Sequence, residues 1–200
     1  MNDAAQLLRP GLLDGCCLAI VAASAQDAAG FEGPLSALGA ETLVAAAPAL
    51  DLLDEAAVAV ALTAPGRIDA VVVDGAGLFA AALPPDGLVP LRACVDAAWV
   101  ACRAATTAAF LPGAVAGKLI LVAPGPEAGP HAAAARAALE NMARELSIEW
   151  ARHGIRITAI TPGVATTSGE VAELSAYLAS PAGDYASGCR FALGETGPAA

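Results

Sequence analysis

Apolar residues along this chain gather into short unbroken runs: Leu18 to Ala22, Thr42 to Ala46, Ala70 to Val73, Leu119 to Val122, Ile155 to Ile160 and Arg190 to Leu193. A strand with one wet face alternates apolar and polar positions, whereas a strand covered on both faces is apolar throughout, so these runs predict a parallel sheet sandwiched between helices. Helical spacing fills Asp51 to Leu62, Leu91 to Phe110, Ala132 to His153 and Glu170 to Leu178. Pro84, Pro85, Pro90, Pro112, Gly113 and Gly154 punctuate the alternation. With no internal repeat and no linker, the pattern is that of a single βαβ-type domain over 1–200, of which 195–200 is a short tail.

Two helices carry longer apolar lines than a cover helix requires. Leu139, Met142, Leu146 and Trp150 follow one another at helical intervals, as do Leu91, Val95, Trp99 and Cys102. Such a line either faces the sheet or meets another subunit, where large aromatics are enriched. Both readings stay open at this point.

Composition narrows the function. Hydrophobic residues make up 57% of the 200 positions and aromatic ones 4%, so the core is built from Ala, Val and Leu in thin, closely packed layers. A formal charge of −10 with ten Lys plus Arg excludes a phosphate-backbone partner, and no nucleic acid is expected. The five cysteines form no CxxC pair and only His131 and His153 accompany them, so no metal site is expected. The opening LLDGCCLAIVAASAQ has the outline of a signal peptide, but Asp14 interrupts its apolar run and Arg9 alone precedes it, which favours a buried first strand. No stretch reaches the roughly 18 uninterrupted apolar residues of a membrane span. The expected location is the cytoplasm, with no membrane partner.

The segments GRIDAVVVDGAG, GKLILVAP, ARAALENMARELSIEWARHGIRITAITPG and AELSAYLASPAGDYASGCRFALG together resemble the short-chain dehydrogenase/reductase (SDR) family. The resemblance covers Gly66 to Gly194 and implies a truncated, Rossmann-like, doubly wound α/β/α sandwich, with 66–194 its better-preserved half and 10–62 a degenerate nucleotide-binding half. In the family, a glycine-rich turn after the first strand lets the backbone approach a dinucleotide pyrophosphate. Here that stretch reads VAASAQDAAGFEG, in which Ala22 or Ala23 replaces the first glycine and Gly30 and Gly33 are possible remnants. The family's NNAG turn is DGAG here, Asp74, Gly75, Ala76 and Gly77, and its Pro-Gly turn is Pro162 and Gly163.

The same resemblance places Ala132 at the family's catalytic tyrosine, Arg136 at its lysine, Pro124 near its serine and Asp96 at its asparagine. Alanine and proline carry no transferable proton. His131 is the obvious substitute acid, yet it stands five residues from Arg136, about 140° around a helix, where the family's pair shares one face. Tyr177 and Tyr185 match packing positions. Only VATTSG separates Gly163 from the next helix, so the family's substrate lid is absent, and TLVAAA stands alone where the family has a second and a third strand. The chemistry is lost while the assembly helices persist. The expectation is therefore a catalytically inactive SDR-like subunit that pairs with an active SDR homologue, as a heterodimer or heterotetramer, or forms a homodimer. No cofactor is expected on this reading; NAD or NADP would belong to the alternative of an oxidoreductase with a relocated acid. A third alternative is a non-catalytic regulator that binds a small ligand.

Overall fold

The computed structural model describes residues 8–83 and 87–194. Pro84, Pro85 and the tail at 195–200 lie outside the described residues.

Six strands form one fully parallel sheet: β1 Cys17–Ala22, β2 Glu41–Ala46, β3 Ala70–Asp74, β4 Lys118–Val122, β5 Arg156–Pro162 and β6 Cys189–Leu193. Their order is β2-β1-β3-β4-β5-β6. All five residues of β3 and of β4 are buried, as their unbroken apolar runs require. The common doubly wound order has two strands beyond the first on this side, 3-2-1. Here β2 pairs directly with β1, Cys17 opposite Glu41 through Ala22 opposite Ala46, and no described strand lies outside it. TLVAAA thus takes the second-strand place, which the sequence left undecided.

The helices are α1 Ala25–Ala37, α2 Glu55–Thr63, α3 Gly75–Ala81, α4 Val89–Ala104, α5 Ala132–Glu149 and α6 Ser168–Ala179. α2, α4 and α5 cover one sheet face through Val58, Leu62, Cys94, Ala98, Leu139 and Leu146; α1 and α6 cover the other through Phe31, Leu35, Ala172 and Ala176. Alanine on α4 and α5 lets these helices approach the sheet closely. α4 runs on through a π-helical stretch, Ala105–Phe110, to Gly113. Val89–Gly113 is long and apolar enough to cross a membrane by length and composition, but half of its most apolar window is buried inside the domain, as in a core helix.

Two helices escape the periodicity. α1 contains Gly30, Gly33 and Pro34, all poor helix formers, yet Ser24 caps its first turn and Ala28, Phe31 and Leu35 bury one face. Tertiary packing overrides propensity. The two glycines therefore lie within a helix and not in the turn that precedes it. α3 spans seven residues, too few for a period to show.

The striped helices divide between the two readings. Cys102, Leu139 and Leu146 are wholly enclosed within the chain, so the core has used them and they are unavailable to a second subunit. Leu91, Met142 and Trp150 are half-buried against the same core, and Val95 is half-buried. Of these stripe residues only Trp99 is exposed, at 41%, with the Arg103 guanidinium 5.8 Å above its ring. Tyr185 is 97% exposed and packs against nothing of note, contrary to its expected packing role.

Candidate functional site at the carboxyl ends of the strands

Parallel strands point their carboxyl ends at one edge of the sheet, and a crevice opens where successive crossovers leave in opposite directions. The crossover from β1 leads to α1 on one face, and β3 leads to α3 and α4 on the other. Between them lies a cleft of about 510 Å3. Its walls come from α1 (Asp27, Gly30, Phe31), the β3–α3 turn (Asp74, Ala76, Gly77), the loop after β4 (Gly125 to Ala128) and the β5–α6 turn (Pro162, Gly163, Thr166, Thr167).

The DGAG turn is built around Asp74. Its carboxylate Oδ1 accepts the Gly77 N–H at 3.0 Å and so caps α3. A Cβ on Gly77 would lie 2.2 Å from Asp74 Oδ2, and one on Gly75 would lie 2.6 Å from the Val122 carbonyl. The main chain leaves no room for a side chain at Gly75, and one at Gly77 would push the Asp74 cap aside. Burial pushes the Asp74 carboxyl up from 3.8 to about 6, and the Asp27 charge nearby adds to the rise against the stabilising Gly77 and Ala76 N–H groups. In the sequence Asp74 shows only as the first residue of the DGAG turn. A carboxyl that titrates near neutrality inside a cleft is a group that can hold or release a proton.

The opposite wall is a closed turn. Gly163 N–H donates to the Leu193 carbonyl at 2.6 Å and to Thr166 Oγ1 at 2.9 Å, and Thr166 Oγ1 donates to the same carbonyl. Thr167 and Glu170 form a reciprocal capping box that starts α6 four residues after Gly163, so no lid intervenes. Of the six positions matched to the family's cofactor turns, Asp74, Ala76, Gly77, Pro162 and Gly163 line the cleft, and Gly75 is buried beneath it.

None of the positions matched to the proton relay lines the cleft. Ala132 is buried in the core and does not line the cleft. Arg136 donates from Nη1 to the carbonyls of Pro124 at 2.8 Å and Pro162 at 2.7 Å, tying the loops after β4 and β5 together from behind. Asp96 lies 3.5 Å from Arg92, one turn away on α4, and does not line the cleft. His131 is exposed at the start of α5 in a left-handed conformation and caps nothing with its side chain. Neither His131 nor Tyr177 lines the cleft. Burial pushes the Cys94 and Cys102 thiols up to about 12, so neither supplies a thiolate.

Asp27 is the residue the sequence reading missed. It sits in the first turn of α1, where Ser24 Oγ donates to its carboxylate at 2.6 Å and accepts its N–H. Its signal was an acid three residues past a capping serine. A nucleotide fits the cleft by place and by the bare Gly75-Ala76-Gly77 floor. The seat for its phosphates fits less well: Asp27, Asp74 and Glu127 line the cleft, while no Lys, Arg or His does among the described residues.

This architecture defines a doubly wound α/β protein with a cleft at its switch point, and the solved structures narrow the class to the SDR fold. A citronellol catabolism dehydrogenase of Pseudomonas aeruginosa is similar over 94% of this chain and 96% of its own, with a TM-score of 0.73 and 21% identity. A structure from Beutenbergia cavernae, proposed as an NAD(P)-dependent gluconate 5-dehydrogenase, is similar over 92% of this chain and 96% of its own, with a TM-score of 0.70 and 22% identity. It carries NADP at low occupancy. An uncharacterized oxidoreductase of Caenorhabditis elegans is 42% identical over 52 residues, which span 26% of this chain and 17% of that protein. No family model matches the chain. The expectation that no cofactor is involved is corrected by these comparisons: the fold is shared with the Beutenbergia structure, proposed as NAD(P)-dependent, which holds NADP.

Proposed function

We propose that this chain is an SDR-fold subunit with a nucleotide-accepting cleft and without the family's proton relay, and that it acts by assembling with an active SDR relative. The observation that carries this reading is the fate of the relay positions. Ala132 is a methyl group in the core, and the Arg136 guanidinium is committed to two main-chain carbonyls. Neither residue lines the cleft. The absent lid supports the reading further, because hydride transfer depends on excluding water. The half-buried apolar residues Leu91, Val95, Met142 and Trp150, with Trp99, are the remaining candidates for the shared interface.

The test has two arms. Isolated from its own cell at native level, the chain co-purifies with a second, different SDR that retains the tyrosine and lysine; recovery without one contradicts the assembly. Titrated calorimetrically with NAD, NADH, NADP and NADPH, the chain binds at least one at about 100 μM or tighter; silence with all four contradicts the nucleotide cleft.

A second reading is favoured by Asp74. A carboxyl raised to about 6 and lining the cleft is a candidate relocated acid for an NAD(P)-dependent oxidoreductase. This reading displaces His131 and Tyr177 from that role. Turnover by the isolated chain that disappears in Asp74→Asn supports it over the first.

A further inference from the structure

The absence of a described strand beyond β2 leaves the main chain of a central-type strand at the edge of the sheet. Glu41 N–H donates to the Cys16 carbonyl, which fixes the alternation: Glu41, Leu43 and Ala45 turn their main-chain groups toward β1, and Thr42, Val44 and Ala46 turn theirs outward. Leu50 N–H covers the Ala46 carbonyl. The N–H and C=O of Thr42 and Val44 and the N–H of Ala46 make no hydrogen bond among the described residues. Unpaired edges template further strands unless charge, proline or a bulge blocks them. Here Pro48 closes one end, while Thr42 to Ala45 is uncharged and free of bulges.

The side chains around this edge specify what fits it. Glu32, on α1, accepts a hydrogen bond from Thr42 Oγ1 at 3.4 Å and so stands over one face of the edge. Glu41 is exposed on the strand itself, and its side chain takes the opposite face because successive strand residues alternate. Neither carboxylate pairs with Lys or Arg among the described residues. A second copy of this chain would offer these carboxylates its own β2, Glu41–Ala46, which holds no Lys or Arg. A cationic strand would neutralise them.

We propose that the open edge of β2 is completed by an extended segment of a partner protein, apolar where it runs along Leu43 to Ala46 and carrying Lys or Arg at the one end that passes Glu32 and Glu41. Main-chain hydrogen bonds supply the attachment, and the two carboxylates supply the choice of partner. The reach of the strand, six residues or roughly 20 Å, matches a short linear segment. This inference does not depend on the cleft or on the lost relay.

The probe is a fluorescein-labelled Lys-Lys-Val-Thr-Val-Thr peptide, with both lysines at one end, compared with its Glu-flanked counterpart by anisotropy at low salt. The Lys-flanked peptide is expected to bind about fivefold or more tightly than the other, and to slow amide exchange at Thr42 and Val44. The double variant Glu32→Lys/Glu41→Lys should reverse the preference. Val44→Pro removes one outward N–H, a change edge strands tolerate, and should abolish binding of both peptides; N-methylation of the peptide reports the same loss if that variant fails to fold. Equal binding of the two peptides, or an unreversed preference in the charge-swapped variant, overturns the proposal. So does self-association of the unmodified chain in sedimentation that Val44→Pro removes, because the occupant would then be a second copy.

Discussion

At the scale of single residues, the cleft is governed by Asp74. Its folded carboxyl titrates near 6 and its ordinary value is 3.8. The folded state therefore holds the proton more tightly, and stability falls as pH rises from about 4 to about 6 and stays reduced above that. The displacement corresponds to roughly 3 kcal/mol. Asp74→Asn keeps a side-chain oxygen for capping α3 and removes the buried charge. Urea unfolding should show the variant more stable than the parent at pH 8 by up to about 3 kcal/mol, with the gap closing by pH 4; a variant less stable at pH 8 would show that the charge is stabilising. A second polar cost lies in the π-helical stretch after α4, where the Thr106 hydroxyl is buried with no partner among the described residues. Thr106→Val is expected to raise stability by about 1 kcal/mol, measured the same way. Neither cost was legible in the sequence. Asp74 read as a turn residue and Thr106 as one more helical position, because burial is a property of the fold.

At the scale of elements, the sequence located all six strands, since continuous apolar runs survive any local irregularity. It missed α1, whose Gly30, Gly33 and Pro34 oppose helix formation and are outweighed by the burial of Phe31 and Leu35. It also missed α3 and the clasp at the far end of the sheet. Lys118 opens β4, is buried, and donates from Nζ to the carbonyls of Ala179 and Ser180 while pairing with Asp184 at 2.8 Å. The Lys118 ammonium holds the Asp184 carboxyl below its usual value. The clasp fixes the end of α6 to the start of β4. Lys118→Met removes the cation and leaves two carbonyls without their donor, a cost of about 2 kcal/mol. Amide exchange should accelerate in the loop following α6 more than in β3; uniform protection would show the clasp to be idle.

At the scale of the whole molecule, the glycine and proline turns that form the cleft were legible because sterics demand them: Gly75, Gly77 and Gly163 each meet main-chain or carboxylate oxygens where a side chain would stand. The interface stripes were legible only in part. Helical spacing tells that a residue faces something, but only the fold shows that Leu139, Leu146 and Cys102 face this chain's own sheet. What remains is the SDR fold with a carboxylate-lined cleft, which none of the positions matched to the family's proton relay lines. The most direct measurement is redox turnover by the isolated, cofactor-saturated chain, followed as NADH or NADPH absorbance against a panel of aldehydes and ketones. The account predicts no turnover above the uncatalysed background, with Asp74→Asn indistinguishable from the parent. Turnover in the parent that Asp74→Asn abolishes would contradict it.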